Sequence, residues 1–446
     1  MTSTPTPSPR LDMQRALPIF VLTFVDVLGL TIILPLLHLY AAAFGASPLE
    51  IGIVAAAFPL AQLIGVPVMG ALSDRYGRKP LLLISQITTC ISFVMLALAG
   101  SLWMIVLSRV IDGLFGANLA TAQAALSDIT DDDTRAQGLG LTGAAFGLGF
   151  IIGPVIAIAA LEVSDRLSTA AWIAAAYSFL SILLTWIVFK ETLTPDRQGS
   201  AASNRLSPFV LLEIIGRPGL TLLLVLMFAQ QVVFYGFESL LGLFTLSRLG
   251  MLGQGNGILF VFVGLILVMV QVRFIGKWSR KWGERRLVSL ALALLAAGLL
   301  LLALTPEQPH PFYVRQIVEN ELRDQRPSSA EAILGDIDVP LPDDTGRGLS
   351  GVLWMLVALV PVAIGSGLIR PSLNSLMTRR VPPADYGRVL GASAAFVSAA
   401  NAVAPLIGAA LFAAGGAALP FWVGGTVMVV LLAVSLVALR GDAMTL

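Results

Sequence analysis

GLGLTGAAFGLGFIIGP, residues 138–154, decides the fold, because its glycines admit two readings. The first six residues have the G-x-G-x-x-G spacing with which a loop at a helix N-terminus receives a dinucleotide pyrophosphate. That reading needs a preceding strand and a helix that starts at the glycines. The preceding residues, DITDDDTRAQ, are a charged link instead, and the following run stays apolar for a membrane thickness. The nucleotide reading therefore fails. In a membrane helix, Ala145, Gly149, Gly153 and Ala157 recur at every fourth position and form a stripe of small residues. Such a stripe lets another helix backbone come close. Pro154 lacks an N–H and disturbs the carbonyl of Phe150, which predicts a local bend. Two roles stay open for this helix: tight packing alone, or a closely packed seam where two moving parts meet.

Composition extends the membrane reading to the whole chain. Of 446 residues, 57% are hydrophobic and only 12% charged, against roughly 25% charged in a soluble domain. Mean hydropathy is +0.86. Too little polar surface remains to solvate a globule of this size, so the solvent is lipid. A net charge of +1 gives no basis for nucleic-acid binding. Cys90 alone excludes a disulfide framework and a thiolate metal site. Two histidines, His38 and His310, leave little for metal or triad chemistry, so we expect no enzyme, metal or cofactor.

Spans of about 20 apolar residues fall at 16–39, 50–73, 81–100, 102–125, 138–161, 170–190, 219–245, 253–275, 286–304, 349–377, 387–412 and 418–439. The expected fold is an all-α polytopic membrane protein with twelve transmembrane helices in two pseudo-symmetric six-helix bundles. The first apolar run is too long for a signal-peptide core and reads as a retained span. With the N-terminus inside, most of the 28 basic residues lie in inner segments, and the short outer loops hold only Arg166 and Arg248. The organisation is then a cytoplasmic tail 1–15, a bundle 16–190, a cytoplasmic linker 191–218, a bundle 219–439 and a cytoplasmic tail 440–446.

The halves repeat. GALSDRYGRKP (70–80) aligns with GKWSRKWGERR (276–286) at an offset of 206 residues, whereas Gly140 and Pro154 align with Gly391 and Pro405 at 251. The growth of 45 matches a polar insertion at 305–348, which carries nine acidic residues against four arginines. On this topology the insertion lies outside, as a cap over the outer mouth or as an inert loop, with one short helix near 311–325. Parallel six-helix halves are a transporter plan with the substrate site between them.

At this point the chain resembles a family. GALSDRYGRKP is similar to the signature between helices two and three of the major facilitator superfamily. The stretch around Gly149, Gly153 and Pro154 resembles the helix-five signature of its drug:proton antiporters. LSRVIDGLFGANLA (107–120) looks like the helix-four signature and DVLGLTIILP (26–35) the helix-one signature. ALSDITDDDTRA (125–136) is similar to the tetracycline-efflux branch. Tetracycline pumps also carry acidic residues in helices three and nine and a histidine in helix eight; residues 81–100, 286–304 and 253–275 contain none of these. The resemblance therefore implies the antiporter group rather than tetracycline as substrate. It also implies a bacterial inner-membrane location.

Ionisable residues inside spans are costly and face a cavity or a partner. Asp26 lies about 15 Å into helix one, at 1.5 Å per residue. Arg109 and Asp112 share one face of helix four. Glu238 lies in the outer part of helix seven, and Arg370 near the inner end of helix ten, where it snorkels inward. A carboxylate that alternates between an apolar setting and a nearby arginine takes up a proton on one side and releases it on the other. Asp26 is the main candidate proton carrier and Asp112 the second, with Arg109 competing for them. A permanent ion pair of Arg109 with either acid is the structural alternative. Glu238 is a site for a cationic substrate, a second proton site or a structural hydrogen bond. Gln230, Gln231, Tyr235, Asn374 and Asn401 are candidates to line the cavity, and His38 is expected at the membrane interface.

In the loop motif, Gly70 precedes the end of helix two, Gly77 suits a tight turn, and Asp74 sits where the helix dipole disfavours it. It needs Arg75, Arg78 or Lys79 as partner. The resemblance implies that this Asp docks on the second bundle and holds the outward-facing state; the matching position there is Arg280. The expected activity is proton-driven export of a small lipophilic compound by a monomer, with the substrate, protons and the lipid bilayer as partners. Alternatives are a proton-coupled or passive importer, a lipid or lysolipid transporter, and a non-transporting receptor or assembly factor.

Overall fold

The computed structural model describes residues 12–130, 135–164, 166–193, 218–324, 339–382 and 386–441. Nearly all of the expected linker 191–218 lies outside these residues, as do most of both tails and the middle of the insertion. Twelve long helices carry the chain: α1 (Met13–Ala43, with a 3₁₀ turn at Leu34–Leu36), α2 (Pro48–Tyr76), α3 (Arg78–Ala97), α4 (Leu102–Asp128), α5 (Arg135–Val163) and α6 (Leu167–Val188) form one half. In the other half are α7 (Pro218–Leu249), α8, α9 (Glu284–Ala303), α10 (Ser350–Thr378), α11 (Tyr386–Gly415) and α12 (Leu419–Gly441). α8 is α-helical over Gly253–Met269, passes through a π turn at Val270–Phe274 and continues over Ile275–Trp282. Eleven of these are long and apolar enough to cross a membrane; Gly253–Met269 alone is shorter, and its continuation supplies the remaining length.

Local sequence sets the ends. Ser47 caps α2 in a capping box with Glu50, and Ser101 caps α4 by accepting the N–H of Met104. Between α2 and α3, and again between α8 and α9, the chain turns through one residue. Those residues are Gly77 (φ 107°) and Gly283 (φ 76°), in backbone conformations that a Cβ disfavours. Equal turns at equivalent places express the repeat seen in the sequence.

Packing repeats as well. In the first half α1 packs on α5, α2 on α4, and α3 on α4 and α6; in the second, α7 packs on α11, α8 on α10, and α9 on α10 and α12. The halves meet through α2 against α11 and α5 against α8. Twelve crossings put both described ends, Asp12 and Gly441, on one side, the terminal face; the opposite side is the far face. Near the far face Gly52 of α2 lies against Ala409 and the Pro405 carbonyl, and Gly253, Gly257 and Gly264 of α8 admit Leu161, Ile158 and the Phe150 carbonyl of α5. Toward the terminal face Gly70, Gly143 and Gly391 have no neighbour within 4 Å of where a Cβ would stand. The halves thus meet near the far face, while these three positions toward the terminal face are open.

The small stripe of α5 faces its own half. A Cβ on Gly149 would strike Val27 of α1, one on Gly153 would strike Thr31, and the Thr31 hydroxyl lies 2.9 Å from the Gly149 carbonyl. The approach to the moving partner is instead made by glycines of α8, on another side of α5. Gly153→Val drives a branched side chain into α1, and overpacking of this kind costs about 1–3 kcal/mol. Thermal unfolding of the purified protein should show a lowered midpoint, with Gly153→Ala intermediate.

The described parts of the insertion, 305–324 and 339–348, fold against the far face. The N–H of His310 donates to the Leu249 carbonyl (3.0 Å), and the buried Tyr313 hydroxyl donates to the Pro342 carbonyl (2.8 Å). A short helix, Arg315–Asp324, buries Val318 and Leu322 and packs on the Leu37–Ala43 end of α1. Material from the second half therefore rests on the first. The Asp344 carboxylate accepts the N–H of Arg315 (3.0 Å), which, with Arg347 close by, holds its pKa below the usual carboxylate range. A depressed folded pKa gives stability that is complete above the unfolded value, near 4, and is lost as pH falls through the folded one. Hydrogen-exchange protection of the Arg315 amide should fall below pH 4 in the wild type and be low at all pH in Asp344→Ala.

Candidate functional site

The first half encloses a polar cluster between α1, α3 and α4. Asn118 Nδ2 donates to Asp26 Oδ1 at 2.6 Å. Asp112 pairs with Arg109 (3.3 Å) and accepts from Thr89 Oγ1 (2.8 Å). Arg109 also donates to Ser92 Oγ (3.0 Å) and lies over the Phe93 ring. Arg109 and Asp112 are each 3% exposed, which makes them a sealed pair, whereas Asp26 is partly accessible. Asp112 is near enough to Asp26 for their charges to interact.

A break in α4 separates Asp112 from Asn118. Its α-helical segments are Leu102–Phe115 and Asn118–Asp128, interrupted at Gly116 and Ala117. Ser85 of α3 repairs the break: its hydroxyl lies within hydrogen-bonding distance of the Phe115 carbonyl and accepts the N–H of Ala117 (3.0 Å). Irregular backbone survives at membrane depth only with such a partner. Asp112 pairs with Arg109 within the segment before the break, and Asn118, the first residue after it, turns to Asp26. Close approach of α2 supports it, since Gly65 faces the Leu114 carbonyl and Gly113 the Phe58 carbonyl.

At the terminal face, Asp74 pairs with Arg78 at 2.6 Å, and Arg78 also reaches Asp128 Oδ2 (2.9 Å) and Ser73 Oγ (3.1 Å). Glu191 caps α3 by accepting the N–H groups of Arg78 and Lys79 (2.9 and 3.0 Å). Arg75 stacks near the Tyr76 ring and is exposed. Asp74 is thus engaged within its own half.

The second half carries a charge-inverted counterpart. Glu284 stands 206 residues after Arg78 and Arg379 stands 251 after Asp128, the two offsets of the repeat. Arg379 pairs with Glu284 at 2.6 Å, and Ser279 and Ser375 donate to the same carboxylate. Comparing Asp74 with Arg280 alone missed this pair; applying both offsets to Arg78 and Asp128 finds it.

In the second half, Gln231 donates to Asn401 (2.8 Å) and joins α7 to α11, while Ser393 donates to Asn374 (2.9 Å) and joins α11 to α10. Tyr235 and Glu238 lie close together on the same side of α7 as Gln231, and all are partly accessible. Gln230 departs from its expected place. It is 1% exposed and donates back to the Met227 carbonyl (3.1 Å), because it sits about 100° around the helix from Gln231. Arg370 is exposed. His38 also departs from its expected place at the membrane interface: it is buried in the seam between the halves, beside Gly242, with Asn256 Nδ2 3.1 Å from its Nε2. Gly242 of α7 and Asn256 of α8 pack against it there. Among the described residues no group of three or more His, Cys, Asp or Glu is placed to hold a metal.

A family model described as the Major Facilitator Superfamily matches residues 19–316. The chain is 26% identical over 411 residues to the tetracycline resistance protein, class B, of Escherichia coli, covering 91% of this chain and 89% of that one. It is 25% identical over 395 residues to the quinolone resistance protein NorA of Staphylococcus aureus (strain COL), covering 87% of each. Among solved structures it resembles the human organic anion transporter MFSD10 (TETRAN) with TM-score 0.66 and 22% identity, over 96% of this chain and 100% of that chain, a likeness of fold. With two six-helix halves around a polar interior and a family match over more than half its length, the chain belongs to the Major Facilitator Superfamily and is a multi-pass membrane transporter, not an enzyme.

Proposed function

We propose that this protein exports a small lipophilic compound in exchange for protons by alternating access. It does so as a monomer in a bacterial inner membrane with both termini in the cytoplasm. Residues 16–190 and 219–439 are the rocking units, 191–218 tethers them, and 305–348 caps the outer side. The observation that carries this reading is a titratable carboxylate, Asp26, partly accessible at membrane depth in a chain whose halves meet near the far face and whose glycines toward the terminal face are open. With the termini inside, we read the open terminal-face positions as an inward-facing state, ready to load substrate from the cytoplasm and inner leaflet. The relatives named for tetracycline and quinolone resistance support export as the direction. Asp26 carries the proton, Asp112 and Arg109 set its electrostatic surroundings, and Glu238 with Tyr235, Gln231, Asn374 and Asn401 offers polar contacts from the second half.

The test is a susceptibility profile in a pump-deficient bacterial host, with dye accumulation measured with and without a protonophore. Export predicts protection against at least one lipophilic compound and lower dye accumulation, both lost when the proton gradient is collapsed. Uptake of solute into the host, or no protection against any compound, overturns it.

A further inference from the structure

The terminal-face end of α8 carries a surface that no step of the transport cycle uses. Past the π turn the helix runs on over Ile275–Trp282, and none of those eight residues is buried. Phe274, Trp278 and Trp282 recur at every fourth position and stack as a ladder, with ring centroids 5.0 and 5.6 Å apart. Trp278 packs on the edge of the core, whereas Trp282 is 36% exposed. Beside the ladder Arg273, Lys277, Arg280 and Lys281 are all exposed, and Lys281 Nζ lies over the Trp282 ring. Lys277 precedes Arg280 and Lys281 by three and four residues, so these three cations share one side of the helix.

The two halves treat their terminal-face cations differently. In the first, Asp74 and Asp128 pair with Arg78, and Glu191 accepts the N–H of Lys79. In the second, Arg280 stands where the repeat places Asp74, and the acid Glu284 is taken by Arg379. Among the described residues no acid pairs with Arg273, Lys277, Arg280 or Lys281. Like charges on adjoining helical turns repel one another, so an anion from outside the described chain would stabilise this cluster. Indole rings settle at the headgroup level of a bilayer, and this ladder continues an apolar span, so the anion at hand is a lipid phosphate. In a zwitterionic lipid the headgroup's own ammonium offsets that phosphate. In an anionic lipid nothing does, and juxtamembrane cations attract it. We propose that the terminal-face end of α8 is a binding site for an anionic phospholipid. Arg273, Lys277, Arg280 and Lys281 hold the headgroup, and the aromatic ladder lies against the glycerol and acyl portion. The site requires only that the chain spans a bilayer; it is independent of Asp26 and of the direction of transport.

The experiment titrates the full chain, in a neutral detergent, with dioleoylphosphatidylglycerol or dioleoylphosphatidylcholine and counts retained lipids by native mass spectrometry. Wild type is compared with the double variant Lys277→Gln, Arg280→Gln. The control, Arg15→Gln with Lys190→Gln, removes as much charge from exposed positions elsewhere on the same face. Wild type should retain phosphatidylglycerol more tightly than phosphatidylcholine, and salt should narrow the difference by screening. Each cation near an anionic lipid surface is worth about fivefold in affinity, so the α8 double variant should bind phosphatidylglycerol about 25-fold more weakly. The control should match wild type. Equal retention of the two lipids by wild type overturns the site, as does an unchanged affinity in a monodisperse α8 variant. An equal loss in the control also overturns it, because general surface charge would then be the cause. Displacement of phosphatidylglycerol by an equal concentration of inorganic phosphate overturns lipid as the occupant, since the ladder would then contribute nothing.

Discussion

Asp26→Asn is expected to abolish gradient-driven export while leaving the protein folded. The amide is nearly isosteric and still accepts from Asn118 Nδ2, so the 2.6 Å contact between α1 and α4 persists. What it loses is the ability to gain and lose a proton between the two faces. At matched membrane levels, protection of the host should fall to that of cells lacking the protein, and dye accumulation should rise to the same level. Substrate exchange across proteoliposomes without a gradient should continue, because the halves still rock. Equal protection by both proteins would make Asp26 a structural residue and move the coupling role to Asp112 or Glu238.

Arg109→Leu is expected to be the most destabilising single change in the polar cluster. The guanidinium is sealed between Asp112, Ser92 and the Phe93 ring. Its removal leaves the Asp112 carboxylate buried at 3% exposure, with Thr89 as its remaining side-chain partner and the charge of Asp26 nearby. Breaking a buried pair from one side costs about 3–5 kcal/mol. The double variant Arg109→Leu with Asp112→Asn removes the stranded charge and should recover much of that loss, a non-additivity expected of contacting residues. Thermal unfolding in detergent measures both. A single variant no less stable than the double would show that the pair is solvated or dispensable.

Hydropathy alone supplied the twelve spans, and the offsets of 206 and 251 supplied the two halves and the insertion within the second. These were legible because lipid imposes length and apolarity on every crossing, whatever the partner helices do. Positive-φ turns at Gly77 and Gly283 were announced by glycine in equivalent loops. The identity of the costly residues was legible too, since Asp26, Arg109, Asp112 and Glu238 stand out in apolar runs. What they touch was not. Neither the interruption of α4 after Phe115 nor its repair by Ser85 has a strong local signal, because Gly-Ala alone does not stop a helix. His38 read as a membrane-interface residue from its position in α1, yet α7 and α8 of the other half bury it. The stripe on α5 announced a close contact but not its partner, and only the packing gave that place to Thr31 of α1 and the moving seam to the glycines of α8. Sequence determined which segments cross the membrane, because that depends on each segment and the lipid. Tertiary structure decided which faces meet and which charges pair, because those depend on helices far apart in the chain.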